Sequence, residues 1–210
     1  MYLSRVALDV HKRSTMVALA NPQQFHGAVE QAFVGERRRR LWRLDQLGEQ
    51  LYLLLLSEDT PNLTQMAEQF GTGEMPETKD YTPLLERIKA GTVWTFRLTA
   101  NPTKSVPNPK EHTKRGKVCA HITTEFQEKW LLERAEKHGF QLNPHGFTVM
   151  QCQWRRFQKA HKGRPVSLLS VTYEGVLEVT DAEKFRQVLI EGIGRGKAYG
   201  LGMMTVMGRR

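Results

Sequence analysis

Two cysteines, Cys119 and Cys152, are all that the 210 residues contain. A framework of structural disulfides is therefore excluded, and their isolation from one another excludes a thiolate zinc site, which needs close pairs such as Cys-x-x-Cys. Both are expected to be small buried hydrophobes. Long apolar runs are also missing. The longest lies within Leu51-Tyr52-Leu53-Leu54-Leu55-Leu56, against the ~20 residues that a membrane-spanning helix requires. Asp9 and His11 stand where a secretory signal would place its apolar centre, so no membrane partner is expected and the cytoplasm is the expected location. Acidic residues are outnumbered, 22 against 31 Lys and Arg, which leaves a formal charge of +9 and a pI near 9.7. They form no Asp-x-Asp or His-Glu-x-x-His grouping that would recruit a catalytic metal, and neither metal nor cofactor is expected. An excess of this size points to an anionic partner, nucleic acid before an acidic membrane surface.

What is present reads as a globular α+β chain. With 40% hydrophobic and 25% charged residues, it can bury a core in one large or two small domains. Residues 2–9 read as a strand, followed by a polar turn at His11-Lys12-Arg13-Ser14. A helix starts at Asn21-Pro22, with Asn21 as cap and Gln24 completing a capping box, and carries Phe25, Val29, Ala32 and Phe33 in one stripe. Leu41–Leu47 and Gln50–Ser57 make two strands around Gly48, the second apolar enough to be central. Thr60-Pro61 opens a helix with Leu63, Met66, Ala67 and Phe70 on one face and Gly71 as its stop. Residues 71–91 read as a long excursion, and Thr92–Ala100 alternates as a strand. The order is β-α-β-β-α-β, the ferredoxin-like pattern.

The second half repeats it. Lys117–Ile122 is a strand, and Thr124 with Gln127 opens a helix bearing Phe126, Trp130, Leu131 and Ala135 up to Gly139. Phe147–Phe157 and Val166–Val179 flank a basic turn, Thr180 with Glu183 forms a capping box before Phe185, Val188 and Leu189, and Met203–Met207 closes the count. The fold expected is a tandem of ferredoxin-like domains, 1–105 carrying His26 and 106–210 carrying the basic turn and a glycine-rich loop.

That loop, Gly192-Ile193-Gly194-Arg195-Gly196-Lys197-Ala198-Tyr199-Gly200-Leu201-Gly202, has five glycines in eleven residues. Bare backbone at Gly194 and Gly196 with charge from Arg195 and Lys197 suits contact with a phosphate backbone. A Walker A loop is excluded, because Glu191 and Ala198 stand where it needs glycine and serine or threonine; a Rossmann fingerprint fails at Lys197. Further basic runs are Arg37-Arg38-Arg39-Arg40 with Arg43; Lys104, Lys110, Lys114, Arg115 and Lys117; Arg155, Arg156, Lys159, Lys162 and Arg164; and Arg209-Arg210. All fall in expected loops, turns or strand ends, where an RNA footprint on this fold could assemble, although each alone also suits a solvated face. The RNA-recognition aromatics are lacking at Arg115-Gly116-Lys117-Val118-Cys119, so backbone-and-shape recognition is favoured over base stacking. An RNA phosphodiester brings its own nucleophile, the 2′-hydroxyl, so one histidine near neutral pKa with basic help could run the cleavage. His26, one residue off the stripe begun by Phe25, is the best placed of seven; its bland alternative is a helix-flank contact with Glu30.

Met1-Tyr2-Leu3-Ser4-Arg5-Val6, the Asn21–Phe33 helix with His26-Gly27, Phe96-Arg97-Leu98-Thr99-Ala100-Asn101-Pro102-Thr103-Lys104, Tyr173-Glu174-Gly175-Val176-Leu177 and Gly192–Gly202, in that order, resemble the CRISPR-associated endoribonuclease family called CasE or Cse3, the type I-E branch of the Cas six superfamily. The resemblance implies two ferredoxin-like domains and metal-independent cleavage at the 3′ base of the repeat stem-loop of precursor CRISPR RNA, leaving a 2′,3′-cyclic phosphate or its opened product. It also implies His26 as catalytic histidine, a basic hairpin that grips the RNA stem, and further Cascade subunits as partners. Gln23 stands where many members carry tyrosine, and Gln31 and Ala32 where a basic residue is common, so the proton-transfer partner of His26 is not given by the resemblance. A non-cleaving RNA-hairpin-binding subunit and a duplex-DNA binder of the same fold remain as alternatives.

Overall fold

The computed structural model describes residues 1–36, 38–107, 116–158, 163 and 165–208. Its first sheet holds β1 (Tyr2–Ala7), β2 (Leu41–Leu47), β3 (Gln50–Ser57) and β4 (Glu77–Asp80) in the order β2-β3-β1-β4, all antiparallel. In chain order that is 4-1-3-2, the ferredoxin-like arrangement. Helices α1 (Arg13–Ala20), α2 (Gln23–Gln31) and α3 (Thr64–Phe70) cover one face through Phe25, Val29, Met66 and Phe70, which pack with Trp42, Leu53 and Leu55. The second face buries Leu41, Leu54 and Leu56 in the core of the other half. A strand buried on both sides explains why Leu51–Leu56 is a continuous apolar run rather than an alternation.

The second sheet contains β5 (Val93–Ala100), β8 (Phe140–Gln158), β9 (Pro165–Val179) and β10 (Met204–Gly208) in the order β10-β5-β9-β8, again antiparallel and again 4-1-3-2. Helices α5 (Thr124–Ala135) and α6 (Ala182–Glu191) cover it with Trp130, Leu131, Phe185, Val188 and Leu189. A separate hairpin pairs β6 (Thr103–Val106) with β7 (Lys117–Ala120).

The strand read as closing the first unit therefore opens the second. The fourth strand of the first sheet is β4, within the stretch expected as an excursion, and α4 (Thr82–Glu86) follows it. Glu77-Thr78-Lys79-Asp80 is exposed throughout; a short charged edge strand has no buried face to produce alternation. The division expected at 105/106 would part β5 from its sheet, whereas the chain changes sheet between Asp80 and Val93. The strand expected at Lys117–Ile122 ends at Ala120 and lies off the main sheet. Helix α1, where a polar turn was expected, buries only Thr15 and Ala18 and so leaves no stripe to read.

Capping departs from expectation as well. Helix α3 begins at Thr64, not Thr60, with the Asn62 side chain accepting from the Thr64 amide. Asp181 rather than Thr180 caps α6, accepting from the Lys184 amide at 3.1 Å. Gln127 does not cap α5; it is buried, and its amide donates to the carbonyls of His121 and Ile122. Neither cysteine is core: Cys152 is exposed and Cys119 half-buried.

Arg43, counted among surface cations in the sequence, is 1% exposed. It donates to both Asp45 oxygens, and across to the Arg97 and Met203 carbonyls and Thr205 Oγ1 of the second half. Each of those is 2.8 Å or shorter. It is an internal clamp between the two sheets.

Candidate functional site

Helix α2 is fixed at its start and along one face. Asn21 accepts from the Gln23 amide at 3.2 Å, as expected of a cap, while its own amide already bonds to the Val17 carbonyl and leaves no donor for the expected capping-box return from Gln24. The Asn21 side-chain amide donates to the Gln158 carbonyl at 3.3 Å, tying α2 to the end of β8. Phe25 anchors the buried face, its ring 5.0 Å from Phe70 and 5.8 Å from Trp42. His26 follows on the flank, half-buried. Beside it, a Cβ placed on Gly27 would meet no atom within 4 Å. The 3-10 turn Lys197–Tyr199 packs against α2, and Tyr199 meets Phe157 of β8 edge-on at 4.8 Å. The histidine helix, the turn end of the β8–β9 hairpin and the glycine-rich loop thus converge.

Within that loop the glycines are required by the protein itself. Gly194 has φ +79°, and a Cβ there would sit 3.2 Å from the Trp130 ring; Gly196 has φ +88° and would meet Leu201 Cδ1 at 3.0 Å. Backbone that favours glycine and side chains packed this close explain both residues without a ligand. The amides of Gly194 to Ala198 have no hydrogen-bond partner among the described residues, and Arg195 is exposed without one.

The basic runs divide by environment. Arg38 pairs with Glu58 at 2.9 Å and Asp59 at 3.7 Å, an exposed pair of the weak kind. Arg40, its side chain 5% exposed, pairs with Glu30 at 3.4 Å and stacks 4.0 Å over the Phe33 ring, so it locks the chain leaving α2. Arg39 reaches Glu191 at 3.6 Å and stands close to Lys197. Burial first, then Arg39, holds the Lys197 ammonium below its ordinary value, against Glu191. Lys104 lies on β6, in the separate β6–β7 hairpin. Arg155 and Arg156 are on β8, the first half-buried and the second exposed. Arg37, Lys159, Lys162 and Arg164 lie outside the described residues, as do Lys110, Lys114, Arg115, Arg209 and Arg210.

A cleft of about 220 Å³ between the sheets is lined by Arg43, Gln46, Arg97, Gln151, Arg155 and Thr172. Arg97 is held by Glu174 at 2.9 Å and Asp45 at 3.5 Å. Arg155 has no carboxylate partner among the described residues, and burial pushes its guanidinium below the ordinary value. A half-buried cation lacking a counter-charge gains from an incoming anion. The sequence placed Arg43 and Arg155 in separate basic runs and did not bring them to one cleft, and Arg97, within a strand that alternates, was not among its cations.

Comparison with known proteins gives the assignment. A model of the CRISPR-associated protein family matches residues 1–207. The CRISPR-associated endoribonuclease Cse3 of Thermus thermophilus is 31% identical over 220 residues, which cover 98% of this chain and 99% of that protein. The chain belongs to the Cse3 family of CRISPR-associated proteins. A solved structure of Cse3 endoribonuclease bound to a 19-nucleotide RNA superposes with a TM-score of 0.81 at 28% identity, covering 99% of this chain and all of the other. Thermus thermophilus Cse3 bound to an RNA representing a pre-cleavage complex gives 0.79 at 28% identity, with 98% of each chain covered. Cas6e from Escherichia coli K-12, at 21% identity and a TM-score of 0.63 over the full length of both chains, shares the fold. No helix among the described residues is long and apolar enough to cross a membrane.

Proposed function

We propose that this member of the Cse3 family is an endoribonuclease that binds the repeat stem-loop of precursor CRISPR RNA in the cytoplasm and cuts at its 3′ base. The processed RNA is then held for assembly with the other subunits of a CRISPR ribonucleoprotein. The observation that carries the reading is the end-to-end similarity to an RNA endonuclease, with the TM-score of 0.81 to an RNA-bound form. The convergence of His26 with the β8–β9 hairpin and the glycine-rich loop supports it. The chemistry follows from the substrate. The 2′-oxygen attacks phosphorus as the P–O5′ bond breaks, giving a 2′,3′-cyclic phosphate and a 5′-hydroxyl. His26 takes the 2′-proton or delivers one to the departing oxygen, and arginine or lysine steadies the phosphorane charge. The nucleophile comes from RNA and the stabilising charge from side chains, so the reaction proceeds without a metal. Gln23 offers no phenol, but Lys197 and Tyr199, on the turn packed against α2, are protic groups at the same junction.

The test incubates purified protein with repeat RNA in EDTA and resolves the products. Shortened RNA ending in a cyclic phosphate is expected, and a 2′-deoxy nucleotide at the cut blocks it. His26→Ala should slow cleavage by about 10²–10⁴-fold and leave hairpin affinity within a few-fold, since one imidazole adds little to a charge-dominated interface. Undiminished cleavage by the variant would remove His26 from the mechanism. Tight binding with no cleavage by the unaltered protein would assign it instead to the non-cleaving subunit class.

A further inference from the structure

Helical spacing assigns Phe126 to the α5 core stripe, yet it is 47% exposed. It sits in a built surface. The His121 ring lies 5.9 Å from it, inclined by 33°, and Lys104 Nζ is 5.8 Å from the Phe126 centroid. Ile122, 70% exposed, continues the apolar area. Lys104 pairs with Cys119 and Val106 with Lys117 across the hairpin, so both lysines share one face of it. The segment presenting His121 is held from below: Gln127 donates to the carbonyls of His121 and Ile122 at 3.0 Å each, and the His121 amide bonds to the Pro102 carbonyl at 2.9 Å. Burial, with Lys104 and Arg134 nearby and Glu133 opposing, keeps the His121 imidazole below its ordinary value, hence an uncharged flat ring at neutral pH.

We propose that Phe126 and His121 form a stacking platform for an unpaired nucleobase next to the repeat stem-loop, with Lys104 and Lys117 engaging the phosphates on either side of it. The inference rests on the RNA-binding reading above and adds a single-stranded subsite to it. Exposed aromatic rings with ammonium groups beside them fit a ligand that carries both π faces and negative charge, which an unpaired nucleotide does and an apolar protein helix does not. Location supports it as well. Phe126 is one turn from Trp130, whose ring packs under Gly194, so the platform adjoins the loop that packs on the His26 helix. A strand passing over Arg195 joins the two.

The experiment compares Phe126→Ala, Phe126→Leu and Phe126→Trp on three RNAs: the bare hairpin, and the hairpin with single-stranded extensions of several nucleotides at the 5′ or the 3′ side. The expected result is a 5- to 100-fold loss of affinity by the Ala and Leu variants for one extended RNA, native affinity for the bare hairpin, and recovery with Trp. A 2-aminopurine in that extension should be quenched by the unaltered protein and not by Phe126→Leu. Equal losses on all three RNAs would overturn the platform by showing a general packing role. Native affinity on all three would overturn it too, and if Phe126→Ala then fails to assemble with partner subunits, the surface belongs to a protein. Failure of the unaltered protein to bind any of the RNAs would instead refute the RNA-binding reading itself.

Discussion

Replacing Arg43 by methionine tests whether the two sheets are held by one buried ion pair. The side chain makes five hydrogen bonds: two to Asp45 (2.8 and 2.5 Å) and three at 2.8 Å to the Arg97 carbonyl, the Met203 carbonyl and Thr205 Oγ1. Methionine fills most of the volume and satisfies none of them. Asp45, its side chain 4% exposed, would keep Arg97 Nε at 3.5 Å as its one cation among the described residues. Leaving a buried charge without its partner costs about 3–5 kcal/mol. At about 2–4 °C per kcal/mol for a chain of this size, the melting temperature should fall by about 6–20 °C. The assay is thermal unfolding followed by circular dichroism. Asp45→Leu added to Arg43→Met removes the stranded charge and should recover a large part of the loss, because an apolar pair is often no worse than a buried ion pair. A single variant that melts within about 2 °C of the unaltered protein would refute the clamp. So would a double variant less stable than the single.

Replacing Arg155 and Arg156 together by alanine should weaken RNA binding and flatten its salt dependence by roughly one to two counterions. Successive positions on a strand face opposite ways, so the single variants separate the two sides of the hairpin, and unchanged slopes in all three proteins would make these arginines a solvated face. Gly194→Val should lower stability by about 1–3 kcal/mol through the left-handed backbone alone, with contact against Trp130 adding to it. Melting temperature and RNA affinity are measured on the same protein: earlier melting with native affinity assigns the loop to architecture, and native melting with lost affinity assigns it to the RNA site.

Elements with a buried face and a regular period were legible. Leu41–Leu47 and Gln50–Ser57 have the expected bounds, because turn residues at Gly48 separate two segments that both bury side chains. The fourth strand of the first sheet was not, since Glu77–Asp80 gives β1 backbone pairing and polar contacts (Thr78 with Ser4, Glu77 with Arg5) but no side chain to the core. Losing that strand displaced the next one: Val93–Ala100 has the correct pattern for a central strand, but pattern gives a face and not a neighbour. Assignment to the second sheet depends on pairing with Val171–Glu178 and with β10, between 71 and 114 residues away, and nothing local encodes that.

At the site the same limit acts on charge. A run of four arginines and Arg43 three positions on reads as one cationic patch, since sequence spacing counts charges and not counter-charges. In the folded protein Arg43 is sealed against Asp45, Arg40 is spent on Glu30 and Phe33, and Arg38 is held on the surface by two acids. Arg155 and Arg195 have no such partner among the described residues, and their attraction for phosphate is correspondingly less compensated. The number of cations in the sequence therefore overstates the footprint, and the informative quantity is which of them folding leaves without an acid. These two arginines both lie on elements that meet the His26 helix, Arg195 in the glycine-rich loop and Arg155 near the turn end of β8, and under the proposed function an anion drawn to them is brought toward that helix.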